Sequence, residues 1–103
     1  MTITYKIKTI TTTPYTIIKT DEVLFVNVAG PASIVLPLIP SSEEEKDQRA
    51  YYIKDISGNA TVNPIIISAP GNVLVDGSAF ALLNSGYSHI MVIYDGTDWD
   101  IIS

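Results

Sequence analysis

His89 is the one histidine in the sequence and the only side chain that titrates near neutrality without a shift, so a general base for hydrolysis would be sought there first. It sits in SHIMVIY, where a two-residue period puts it on one face with Met91 and Ile93. A lone strand histidine is more often structural than catalytic, and no G-x-S-x-G elbow accompanies it. In DGTDWD, Asp95, Asp98 and Asp100 offer the oxygen ligands that calcium prefers. The glycine placement and terminal glutamate of an EF-hand are missing, and Asp-Gly is itself a strong hairpin signal. The expectation there is a turn carrying solvated charges. Glu43 to Glu45 read as a solvated surface compatible with a helix start. Tyr51, Tyr52, Tyr87, Tyr94 and Trp99 have the ring chemistry to stack on sugars, but alternate strand positions send most of them to a core or an interface. Asn59-Ala60-Thr61 matches the glycosylation triplet and is expected to be only a turn.

Composition narrows the classes further. The chain has 103 residues, no cysteine and a formal charge of -5. Disulfides and thiolate zinc sites are therefore excluded, and one histidine leaves no multi-histidine metal site within a subunit. No catalytic, cofactor or metal residue is assigned. The acidic balance repels a phosphate backbone, so nucleic acid is not an expected partner. No apolar run approaches the ~20 residues of a membrane span, and the N-terminus lacks the regions of a signal peptide, so a soluble, unprocessed protein is expected, without a membrane partner. A chain of this size buries only roughly 60–70% of its unfolded surface, which makes a lone subunit marginal. Yet the mean hydropathy is +0.28, high for so small an interior. Some apolar strand faces are thus expected to close against other subunits.

The elements needed to position these residues are almost all strands. Ile3, Tyr5 and Ile7 alternate with Thr4, Lys6 and Lys8, predicting a half-buried strand over 2–10. Pro14 separates residues 1–13, read as an extended N-terminal arm, from a β module over 14–103. Strands are expected at 15–18, 23–28, 33–36, 51–56, 65–67, 73–75, 79–83, 88–94 and 99–102. The run Ile65-Ile66-Ile67 suggests burial on both faces. Residues 41–49 are polar, and Ser42 with Glu45 has capping-box spacing, so one helical turn and a solvated loop both fit. Gly58, Gly77 and Gly96 mark turns that need positive φ. No fixed repeat is evident, as the rungs of a parallel β-helix would require. The predicted class is all-β: a compact antiparallel β-sandwich or barrel-like domain of short strands.

Three stretches, YYIKDISGNATVNPIIIS, VDG and LNSGYSHIMVIYDGTDWDII, resemble the small β modules of tailed-phage virion proteins, found in tail fibres and capsid decorations. YTIIKTDEVLFVN and VLPLIP fit the same pattern, extending the resemblance over about residues 15–102. Its firmest marks are Asp55 to Asn59, Asp76-Gly77, and Asp95-Gly96 through Trp99; Gln48 and Asp100 depart from the pattern. The resemblance carries no catalytic residues. It implies a homotrimer, made in the host cytoplasm and sited on the outer capsid surface of the virion, with the major capsid protein or another virion protein as partner. A module not embedded in a longer shaft favours a capsid decoration or cement protein; the alternative is a tail-fibre or head-fibre module recognising a host-surface glycan. Ile3, Tyr5 and Ile7 are the candidate capsid or subunit contacts, by strand addition, unless residues 2–10 complete their own sheet. Trp99, Gly58, Gly77 and Gly96 are expected to be structural, with Trp99 packed.

Overall fold

The β-branched residues that dominate the chain form nine strands among the described residues of the computed structural model, which are 5–39 and 49–102. They are β1 (Ile7–Ile10), β2 (Tyr15–Thr16), β3 (Val23–Val26), β4 (Ala32–Val35), β5 (Ala50–Asp55), β6 (Ile65–Ser68), β7 (Phe80–Leu83), β8 (His89–Tyr94) and β9 (Trp99–Ile102). One sheet has the order β1-β3-β5-β8-β9 and the other β2-β4-β6-β7. Their inner faces meet in one core, with Leu24, Ile53 and Val92 from the larger sheet and Ile34, Ile65 and Ile67 from the smaller.

The expected antiparallel arrangement is corrected to a mixed one. β1 runs parallel to β3, β3 to β5, β2 to β4 and β4 to β6. From Ile7 to Ser68 the chain therefore winds alternately through the two sheets, each strand lying beside the one two before it. Only the last three strands fold back: β7 on β6, β8 on β5 and β9 on β8 are antiparallel. The reason is in the connections. Asp-Gly turns, which reverse a chain tightly, fall at Asp76-Gly77 and Asp95-Gly96, whereas the breaks at Pro14, Gly30-Pro31 and Asn84-Ser85-Gly86 carry the chain across to the other sheet. Ile7 pairs with Val23 and Val23 with Tyr52, so equivalent positions of this winding are unequally spaced in sequence and leave no repeat to detect.

Local readings differ in four places. Ile66 is 40% exposed between buried Ile65 and Ile67, so that run is a half-buried sandwich strand. The brief polar–apolar alternation Thr61-Val62-Asn63, which by itself has a strand's period, continues out of a 3-10 turn at Asn59–Thr61 instead. Of 73–75, only Val75 makes β-bridges, to Ser78 and Trp99. The first strand turns its apolar side the other way. Lys8 and Ile10 point inward, and Tyr5 and Ile7 are exposed. The sheet is apolar on both faces here, so alternation alone does not say which face is the core. Ile7–Ile10 pairs within its own chain, beside β3. Ile3 and, apart from Arg49, the polar block 41–49 with Ser42 and Glu43 to Glu45 lie outside the described residues.

Among the turn marks, Asp76-Gly77 is the clearest. Val75 and Ser78 exchange both backbone hydrogen bonds, at 2.8 and 3.0 Å, across two residues with φ of 53° and 77°. Positive φ at both central positions defines the type I′ hairpin turn, which explains glycine at the second.

Candidate functional site

Among the described residues, three polar clusters and the outer face of the larger sheet bring chemistry-bearing or apolar side chains together. At the C-terminal end of β5, Asp55 is buried and accepts four hydrogen bonds. Oδ1 takes the Ser57 amide (3.0 Å) and hydroxyl (2.7 Å), and Oδ2 takes the Ala60 amide (3.0 Å) and the Tyr87 amide (3.2 Å). Burial pushes this carboxyl up, but the bonds from Ser57, Ala60 and Tyr87 outweigh it and hold it below the usual carboxylate range. The carboxylate thus ties the 57–60 turn to the 85–88 loop. It is saturated with backbone donors, which is the arrangement of a structural anion and not of a base awaiting substrate.

The same junction explains Gly58. Its φ is +80°, and a β-carbon there would stand 2.6 Å from the Tyr87 ring. Gly58→Ala should therefore lose about 1–3 kcal/mol in thermal or urea unfolding. Gly71→Ala is the control: φ is +68° with open space around it, so any excess loss at Gly58 reports the Tyr87 contact.

The second cluster joins β1 to the start of β3. Tyr15 Oη donates to Asp21 Oδ2 (2.6 Å), Lys8 Nζ donates to Tyr15 Oη (2.8 Å) and pairs with Asp21 Oδ1 (3.0 Å), and the Ile18 amide also donates to Asp21 (3.0 Å). Burial pushes Asp21 up, yet its bonds to Tyr15, Ile18 and Lys8 hold its pKa down; bonds to Tyr15 and Asp21 raise Lys8. Tyr15 is raised, by burial first and by Asp21 second. These shifts keep the ammonium charged and the phenol protonated, the opposite of what an activated nucleophile requires. The cluster braces the edge strand.

Around DGTDWD, Asp95 Oδ1 accepts the amides of Thr97 (2.9 Å) and Asp98 (3.0 Å), and Asp98 Oδ1 accepts the Leu74 amide (3.0 Å). Asp100 is hydrogen-bonded to Asp95, and that contact raises its pKa, while the amides of Asp98 and Thr97 lower that of Asp95. Among the described residues no three acidic or histidine side chains are grouped to hold a metal ion. Of the aromatics considered for sugar stacking, Tyr51, Tyr94 and Trp99 are core. Trp99 is 1% exposed, with its ring 5.8 Å from Tyr51 and 5.2 Å from Tyr94.

The remaining feature is the outer face of the five-stranded sheet. Register aligns Ile7, Val23, Tyr52, Met91 and Ile102 in one row that crosses all five strands. The row on one side holds Thr9, Phe25, Lys54 and His89, and that on the other holds Ala50, Ile93 and Asp100. Tyr5 meets Tyr52 edge to face at 6.0 Å, and together with Val23, Phe25, Lys54 and His89 these two rings line a groove of about 370 Å³. Tyr5 (53%) and Ile7 (55%) stay exposed at one edge of the sheet and Ile102 (50%) at the other. His89 therefore lies in the row beside this apolar stripe, paired with Lys54, without a partner carboxylate across the ladder. Strand periodicity predicts its alignment with Met91 and Ile93; that alternate residues of five separate strands align into one apolar row depends on register, which the sequence does not display. Compared with protein-family models and with curated proteins, the chain has no match in either.

Proposed function

We propose that this chain is a non-enzymatic structural protein of a tailed-phage virion, a homotrimer that decorates the outer capsid surface and reinforces contacts between capsomers. The observation that carries the reading is the apolar row from Ile7 to Ile102 on an outer sheet face. A face of that kind is unfavourable in water and favours association, which also supplies the burial that a chain of 103 residues lacks alone. The virion assignment rests on the resemblance of the segments around Asp55, Asp76 and Asp95. Each of those segments has a load of backbone hydrogen bonds, as a module built for architecture requires. The polar clusters point the same way, since their carboxylates are occupied by amides, a hydroxyl, a phenol and an ammonium. Tyr5 and Ile7 keep their role as subunit or capsid contacts, as exposed members of the apolar face. The fibre-borne alternative retains Tyr52 and Tyr87 as its ring platform, with the other three aromatics in the core.

Light scattering at micromolar concentration should report three times the 11.2 kDa subunit mass. Labelling of intact particles should find many copies over the capsid surface. A stable monomer, or a few copies confined to fibre tips, would overturn the capsid-trimer reading.

A further inference from the structure

The outer face of the larger sheet has a chemical polarity as well as an apolar middle. Its central row is entirely apolar, from Ile7 on β1 to Ile102 on β9. Lys54 and His89 are direct cross-strand neighbours at one end, and Lys54 is held there by donating to the Tyr87 carbonyl. Asp100 lies at the other end, paired with Ile93 and within the field of Asp95, Asp76 and Asp98. Five strands at ~4.8 Å spacing and three outward rows make a face of roughly 500 Å² in projection. The apolar middle of that face, joined by Phe25 and Ile93 from the flanking rows, runs unbroken across all five strands, and a contiguous exposed apolar patch on a single subunit marks an interaction site.

Resting on the trimer reading, we propose that this face is the surface through which copies of the chain meet, with the Lys54 end of each set against the Asp100 end of the next. The occupant is a second copy because the face carries both halves of a complementary pair: a basic end and an acidic end separated by apolar residues. Around a threefold axis each copy can set its Lys54 end against the Asp100 end of the next, a heterologous contact that closes into a ring; the same pairing made twice between two copies would be isologous and give a dimer, which light scattering tells apart. A copy packed with its polarity aligned to its neighbour would instead bring Lys54 against Lys54 and leave Asp100 against Asp100, which disfavours that arrangement. The apolar row supplies the affinity, and the two charged ends set the register.

The test uses the full chain and reads its association state by light scattering over a dilution series, with circular dichroism to verify the fold. Met91→Glu puts a charge in the middle of the row and should yield a folded monomer at concentrations where the parent is a trimer. Should Met91→Glu unfold, Ile102→Glu places the charge at the exposed edge of the same row. Lys54→Glu and Asp100→Lys should each raise the concentration of half-dissociation by about tenfold or more. The double variant Lys54→Glu/Asp100→Lys should recover most of that loss, because it restores the pairing with the signs exchanged. If the parent is a trimer and folded variants in the apolar row dissociate like it, the face is not the interface while the trimer reading stands. If the double variant is as weak as the singles, the head-to-tail arrangement is overturned. If the parent is a monomer, the trimer reading fails together with this one. A monomer that loses particle binding on Met91→Glu would assign the face to the capsid instead of a second copy.

Discussion

Asp55→Ala is expected to cost about 3–5 kcal/mol, a large part of the stability of a domain this size. The buried carboxylate accepts the amides of Ala60 and Tyr87, which belong to separate loops, along with both donors of Ser57. Truncation leaves at least the Ala60 and Tyr87 amides without an acceptor, at about 1–3 kcal/mol each. It also uncouples the 57–60 turn from the loop that enters β8. Urea unfolding followed by circular dichroism measures the loss, and an unchanged midpoint would show that the loops are held by something else. Asp55→Asn keeps one acceptor oxygen and should lose less, but it should change the acid response. In the parent, the folded Asp55 pKa lies below its ordinary value, so the folded state binds its proton less readily than the unfolded chain. The carboxylate's contribution is therefore complete above the unfolded value and is lost as pH falls from about 5 through the folded value. Asp21 adds to the same acid limb, since its pKa is also lowered in the fold. Asp55→Asn should flatten the dependence of stability on pH below about 5, leaving the remainder to Asp21 and Asp95, which are lowered in the fold, and to Asp100, which is raised.

Trp99→Ala should be comparably damaging, at about 3–5 kcal/mol. The indole is the largest fully buried side chain, and it packs between the rings of Tyr51 and Tyr94. Its backbone adds a second constraint, because the Trp99 amide donates to the Leu74 carbonyl and its own carbonyl accepts the Asp76 amide. Deleting the ring leaves a cavity walled by two aromatic side chains that are fixed by β5 and β8 and cannot collapse into it. Differential scanning calorimetry should show a fall in Tm of more than about 10 °C. Trp99→Phe keeps a ring against both neighbours and should fall by less than half as much; equal losses would mean that ring packing is not what Trp99 contributes.

What was legible in the sequence follows from which signals are local. The strands from Phe80 onward can be read almost residue by residue, because the Asp76-Gly77 and Asp95-Gly96 turns state both their position and the antiparallel sense of what they join, while Asn84-Ser85-Gly86 marks only where β7 ends. The winding from Ile7 to Ser68 is not legible in the same way. Its parallel pairs are joined across the opposite sheet, so neither partner nor direction is encoded by the intervening turn. Lys8 pointing inward defeats the alternation rule for a specific reason. Buried Asp21 offers it an ion pair, and Tyr15 completes the set, so a polar residue takes the core side of the edge strand. Asp55 could be seen as the start of a turn, yet its role as a hub could not, because Tyr87 approaches it from a distant loop. The apolar row shows the same limit. YYIKD and HIMVIY reveal apolar residues on both strand faces, while their alignment across five strands is a property of register alone.

The order of strands in the larger sheet has a consequence for synthesis on the ribosome. β5 lies at the middle of that sheet, but its partner on one side, β8, begins only at His89, separated from it by residues 56–88. Until residues 89–94 emerge, β5 is an edge: one row of its amides and carbonyls is unpaired, beside the apolar Tyr51 and Ile53. The nascent chain thus has a sticky strand while residues 56–88 are being made. The β8–β9 hairpin is therefore the piece that covers the exposed edge of β5 and removes an aggregation-prone surface.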